Sequence, residues 1–167
     1  MAWPSQSQCD AFYGNPRNQA DPAKSSPTWE AANIVYVKPP FMMTYEGTPL
    51  TRGVRVHRLV AESLSRIFAA LSQAAGNSQA TLDAWGVSIY GGAYNYRLMR
   101  GGNRLSMHSW GCAIDLDPDR NAFHDQSPHF AGLPQVVNAF KADGWVWGGD
   151  WSPGSRDGMH FQAATVS

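Results

Sequence analysis

Two short segments of this chain carry side chains that could do chemistry together. The first, Ser106-Met107-His108-Ser109-Trp110-Gly111-Cys112-Ala113-Ile114-Asp115-Leu116-Asp117, holds a histidine and aspartates; the second, Asp157-Gly158-Met159-His160-Phe161-Gln162, holds both types again. If His108, Asp115 and His160 converge, two neutral imidazoles and a carboxylate give a metal three donors and leave a fourth position to water. That is the arrangement of a catalytic zinc site. Zinc held this way lowers the pKa of water from about 15.7 to about 7 and polarises a carbonyl. Asp157 stands three residues before His160, so it can lie near the metal without binding it, as a general base must. One at a time these residues are weak signals; together in two segments they are a strong one.

The elements around them must place these groups on one face. Cys112, Ile114 and Leu116 alternate with Ala113, Asp115 and Asp117, so a strand here turns Asp115 away from the core. In a last short strand His160 and Gln162 share one face, with Met159 and Phe161 on the other. Asp117-Pro118-Asp119-Arg120-Asn121 reads as a turn. Its acidic alternation imitates a calcium loop, but Arg120 replaces the required glycine and Gln126 the bidentate glutamate, which excludes an EF-hand. His124 and His129 read as surface residues of a loop. Upstream, Val56, Leu59, Val60, Leu64, Ile67, Phe68 and Leu71 recur at helical spacing and predict one core-packing helix over 55–75. His57 falls on its polar side, exposed beside Arg55 and Arg58. Trp85 to Tyr90 alternates as a half-buried strand leading into Gly91-Gly92. The loop from Tyr94 to Arg104 carries three arginines, and is either a solvated basic loop or a wall that aims a guanidinium at the metal. Pro134 opens a helix with Val136, Val137 and Phe140 inward and Gly144 at its end. Trp147 and Trp151 suit either the core or a cleft wall beside the metal.

Residues 1–53 contain seven prolines and show no helical period; the short apolar run Ile34-Val35-Tyr36-Val37, stopped by Pro39-Pro40, reads as an edge strand. The aromatics Trp3, Phe12, Tyr13, Trp29, Phe41 and Tyr45 argue for an arm packed on a domain spanning 54–167, since a disordered linker carries fewer anchors. Thirteen basic and 13 acidic residues balance, with no run of like charge. A nucleic-acid binder needs a clustered basic surface, so nucleic acid is not the expected partner. The sequence has no basic, apolar leader and no apolar run approaching the roughly 20 residues of a membrane span, so a cytosolic product, monomeric, is expected. Two cysteines, Cys9 and Cys112, are too few for a disulfide framework; Cys112 reads as a small buried hydrophobe, with a Cys9–Cys112 bridge as the lesser alternative.

The motif Ser-x-His-x-x-Gly-x-Ala-x-Asp at 106–115 and the late Asp-x-x-His at 157–160 resemble the zinc D,D-carboxypeptidase and L-alanyl-D-glutamate endopeptidase family. This family includes vancomycin-resistance carboxypeptidases and many phage endolysins. The stretch Gly144-Trp145-x-Trp147-Gly148-Gly149-x-Trp151 before the second motif is similar to the phage branch. The resemblance covers about 85–162. It implies an α+β hedgehog/DD-peptidase fold: a small, mostly antiparallel sheet, the 55–75 helix on one face and a zinc cleft on the other. It implies His108, Asp115 and His160 as zinc ligands and Asp157 as base. Arg97, with Arg100 second, would stabilise the tetrahedral intermediate, and Ser106 would orient the loop or substrate. The implied substrate is the stem peptide of bacterial peptidoglycan, cut at L-Ala–D-Glu by an endolysin that reaches the wall after another protein opens the membrane. A D-alanine-trimming carboxypeptidase and a non-catalytic wall-recognition or virion module are the alternatives.

Overall fold

A computed structural model describes residues 2–166. The chain runs through α1 (Cys9–Tyr13), α2 (Pro27–Asn33), β1 (Ile34–Val37), β2 (Thr44–Tyr45), β3 (Thr48–Pro49), β4 (Val54–His57), α3 (Arg58–Ala74) and α4 (Gln79–Trp85). It continues through β5 (Tyr90–Gly92), β6 (Ala113–Leu116), α5 (Pro134–Ala142), β7 (Val146–Trp147) and β8 (His160–Gln162). Short 3₁₀ turns at Gln6–Gln8, Met107–Trp110, His129–Gly132 and Gly148–Asp150 join these elements. The fold is α+β. Among the described residues no helix is long and apolar enough to cross a membrane.

The sheet that positions the site is antiparallel, in the order β5-β6-β8-β7. Residues directly opposite each other in such a sheet point to the same side. Ile114 faces Phe161, which faces Trp147, and these three look into the core. Asp115 faces His160 and Ala113 faces Gln162, so the polar set emerges on the other side. The helix lying on the core face is α5, with the Phe140 ring stacked on Phe161 at 3.9 Å. The long helix α3, expected on the sheet itself, packs instead against α5, β1 and β4.

Three further expectations need correction. The helix begins at Arg58, because Val54–His57 forms a strand paired with β1, Val35 opposite Val56. Val56 therefore belongs to a strand. His57 is not exposed: it is buried and caps α3, its Nδ1 accepting the Leu59 N–H at 3.1 Å while Nε2 donates to the Tyr13 carbonyl at 2.9 Å. The stretch 85–90 is not a strand but the end of α4, which Ser78 caps at its start and Gly86 stops in the left-handed conformation, followed by a turn into β5. By contrast β1 lies where the apolar run placed it, and α5 starts at Pro134 and is followed by Gly144 at φ 82°.

Residues before 54 share the same core. Cys9, Tyr13, Trp29, Val37 and Met43 are buried in it alongside residues of α3, α5 and the sheet. The Tyr13 hydroxyl donates to the Ala163 carbonyl at 2.7 Å, just beyond β8. Ser5 and Thr165 are bridged, with the Gln6 N–H on the Thr165 carbonyl and the Thr165 N–H on that of Pro4.

Candidate metal centre

His108 sits in the 3₁₀ turn before β6. Ser106 caps this turn, its hydroxyl accepting the His108 N–H at 3.3 Å. Gly111 closes it in the left-handed conformation at φ 70°, where a Cβ would press on the His57 backbone, so only glycine lets β6 start against β4. Asp115 follows in mid-strand, and His160 opposes it on β8.

The second partners of the two imidazoles fix where their lone pairs point. His108 Nδ1 lies 2.7 Å from the Ala93 carbonyl, which can only accept, so that nitrogen carries the proton. Its Nε2 is then a bare lone pair, 3.2 Å from Asp115 Oδ2 and with no hydrogen-bond partner. On the other side, Gln162 Nε2 donates to the Ala164 carbonyl at 2.9 Å, which turns Gln162 Oε1 toward His160 Nε2 at 2.8 Å. That oxygen can only accept, so His160 bears its proton on Nε2 and presents Nδ1 to Asp115 Oδ1 at 3.1 Å. Nitrogen lone pairs thus face carboxylate oxygens across a buried gap, a pattern that only a cation or an added proton can reconcile. Donor atoms of His108, Asp115 and His160 lie within 4.8 Å of one another, and the donor set suits zinc. Ala93 and Gln162 are the outer partners that orient metal-binding histidines.

The electrostatics agree. Burial opposes ionisation of Asp115, but the adjacent His108 and His160 outweigh it and hold its carboxyl below the ordinary range. Burial likewise opposes charging His160, yet hydrogen bonding and charge attraction from Asp115 push its pKa up.

Asp157 lies beside this centre, in the turn before β8. Its N–H donates to the Gly148 carbonyl at 3.0 Å, and a Cβ at Gly148 would collide with the Asp157 carbonyl, so the two backbones meet only because position 148 is glycine. Burial raises the Asp157 pKa, with the nearby imidazoles pulling the other way. One carboxylate oxygen, Oδ1, is buried and has no partner. Trp151 stands over His160 with ring centres 5.4 Å apart, and its indole N–H is also buried and unpartnered. Among the described residues the buried side-chain polar atoms without partners are His108 Nε2, Asp157 Oδ1 and Trp151 Nε1. All three residues line one cleft, of about 270 Å³. Native interiors leave few such atoms unmatched, and their concentration in one cleft marks a site for a ligand.

Arg97, Arg100 and Ser106 line the same cleft. The Arg97 backbone is tied to the His108 turn, its N–H donating to Ser109 Oγ at 3.0 Å and its carbonyl accepting from that hydroxyl and from the Ser106 N–H. Arg100 extends over the Phe123 ring at 4.8 Å. Trp147 is elsewhere: register puts it on the core face, stacked on Phe161, with its N–H on the Gly158 carbonyl at 2.8 Å. It supports the Asp157 turn from beneath rather than lining the cleft. His124 and His129 hydrogen-bond to the Gly154 and Ala84 carbonyls, away from the centre. The Ala93 carbonyl and Gln162 are imidazole partners that sequence reasoning did not assign. A backbone carbonyl leaves no trace in residue identity, whereas the His160/Gln162 alternation was the available signal.

Residues 100–163 match the family model described as D-alanyl-D-alanine carboxypeptidase, a span holding His108, Asp115, Asp157 and His160. No curated protein and no solved structure matches the chain. The match speaks for a peptidase.

Proposed function

We propose that this chain is a zinc-dependent peptidase that hydrolyses an amide bond in the stem peptide of bacterial peptidoglycan, in the manner of a phage endolysin. The observation that carries this reading is the convergence of unpartnered buried polar atoms from His108, Asp157 and Trp151 in one cleft. The match of residues 100–163 adds the reaction class.

His108 through Nε2, His160 through Nδ1 and Asp115 would hold the ion. When bound, zinc supplies the positive charge that acidifies water and polarises a carbonyl. The remaining work falls to the protein. Asp157, partly desolvated so that its carboxylate is more basic than usual, takes a proton from the attacking water at its free oxygen. The water oxygen adds to the amide carbon, the C–N bond breaks, and the same proton passes to the departing amine. Arg97 or Arg100 offers a guanidinium to the developing oxyanion, and Trp151 offers its N–H to the peptide backbone.

The finer reading is an endopeptidase of L-Ala–D-Glu type. Removal of terminal D-alanine is the alternative that the description of the matched family favours. Mass spectrometry of digested wall sacculi separates them: soluble glycan strands with freed stem peptides support the first, release of D-alanine alone the second. Chelation by 1,10-phenanthroline should abolish either activity and zinc should restore it. Asp157→Ala should retain zinc yet lose at least about 100-fold in rate, the order expected for a general base. Wall lysis by that variant would defeat the assigned base, indifference to chelator would defeat the metal, and a wild type that binds walls without cutting them would leave a non-catalytic wall-recognition module.

A further inference from the structure

A second cavity, of about 450 Å³, lies apart from the metal centre. It lies between the N-terminal segment, through Ser7, Asp10 and Arg17, and the far side of the arginine loop, through Tyr96 and Arg104. That loop is a hairpin: Leu98 and Leu105 are bridged, the Met99 N–H donates to the Arg104 carbonyl at 2.7 Å, and Gly101 and Gly102 form its tip. One side of it faces the metal cleft with Arg97 and Arg100, the other faces this cavity with Arg104. Gln6, Met99 and Met107 line both spaces, so they adjoin. A third hollow, of about 290 Å³, continues past Gln6, Met99 and Trp151.

Charge singles out Arg104. Arg17 is neutralised by Asp10, whose other contact is the Trp110 N–H. Among the described residues Arg104 has no carboxylate partner, and neither do Arg97 and Arg100. An exposed, unpaired guanidinium at the edge of a cavity of mixed polar and apolar lining, bordered by the Tyr96 ring, suits a carboxylate-bearing peptide.

We propose that this cavity is a second subsite, in which Arg104 binds a carboxylate on a part of the wall peptide remote from the scissile bond. The substrate then passes across the metal rather than ending at it, and the N-terminal segment, which lies outside the matched residues 100–163, supplies one wall of the groove. This rests on the wall-peptidase reading above and gives it an extended, acidic substrate.

The test compares two probes, cross-linked muropeptides and an N-blocked L-alanyl-D-glutamate amide, with the wild type, Arg104→Gln and Ser7→Trp. Ser7 is exposed on the opposite wall, so its replacement plugs the cavity without disturbing the core. The ratio of kcat/KM for the long probe to that for the short one should fall about tenfold in both variants, the loss expected for a charge-assisted contact. Zinc content should match wild type. Co-sedimentation of zinc-loaded Asp157→Ala protein with sacculi gives a readout independent of turnover, and adding either substitution should weaken it. Wild-type hydrolysis with an unchanged ratio in both variants overturns the subsite and spares the peptidase. Failure of hydrolysis with sacculus binding that Arg104→Gln still weakens spares the subsite and overturns the peptidase. Failure of both defeats both.

Discussion

At the scale of single residues, the site depends on groups that never touch a substrate. Gln162 can orient His160 only because its own amide is pinned to the Ala164 carbonyl. Gln162→Leu keeps the volume and removes that acceptor, freeing the ring to turn and to change tautomer. Zinc affinity, measured by competition with a chromophoric chelator, should fall about 10- to 100-fold. The convergence of His108, Asp115 and His160 was legible because they occupy two short segments whose alternation survives folding, with Asp115 directly opposite His160. The distinction between Trp147 and Trp151 was not. It depends on which strand Phe161 pairs with, a fact about register that composition cannot reveal.

At the scale of elements, the informative error is at the start of α3. Val54 and Val56 repeat by two while Val56 and Val60 repeat by four, so one short stretch satisfies both periods and the strand was absorbed into the helix. His57 stands at the junction, and its role follows from that position. As a neutral ring it accepts the Leu59 N–H and donates to Tyr13; burial lowers its pKa from 6.5 to about 4. The folded protein therefore favours the neutral form. The stability it contributes is complete above about pH 6.5 and is lost as the pH falls toward 4, where the cap nitrogen gains a proton. That shift corresponds to about 3 kcal/mol. In urea unfolding across this range, His57→Asn should be less stable at neutral pH, yet its stability should decline less on acidification, since asparagine caps a helix without titrating.

At the scale of the whole molecule, the proline-rich opening third is part of the core. Its helices are too short and its other strands too interrupted to show a period, so only β1 and the aromatic anchors were readable in the sequence. Tyr13 makes the connection: its carbonyl receives His57 and Trp29, and its hydroxyl reaches the segment just past β8. Tyr13→Phe should leave the Ala163 carbonyl unpaired and cost about 1–2 kcal/mol in chemical denaturation, without altering metal stoichiometry.

The pairing of Ser5 with Thr165 has a topological consequence. With residues 4–6 laced beside Thr165, the described residues come close to a closed ring, and the place where that ring is cut becomes a free choice. A circular permutant opened at the exposed Glu46-Gly47 turn, its old ends joined by a glycine-rich linker of about eight residues, should fold and keep its zinc. Such a permutant would carry a fused partner on the β2–β3 turn, so that cargo could be hung there while the original ends stay sealed.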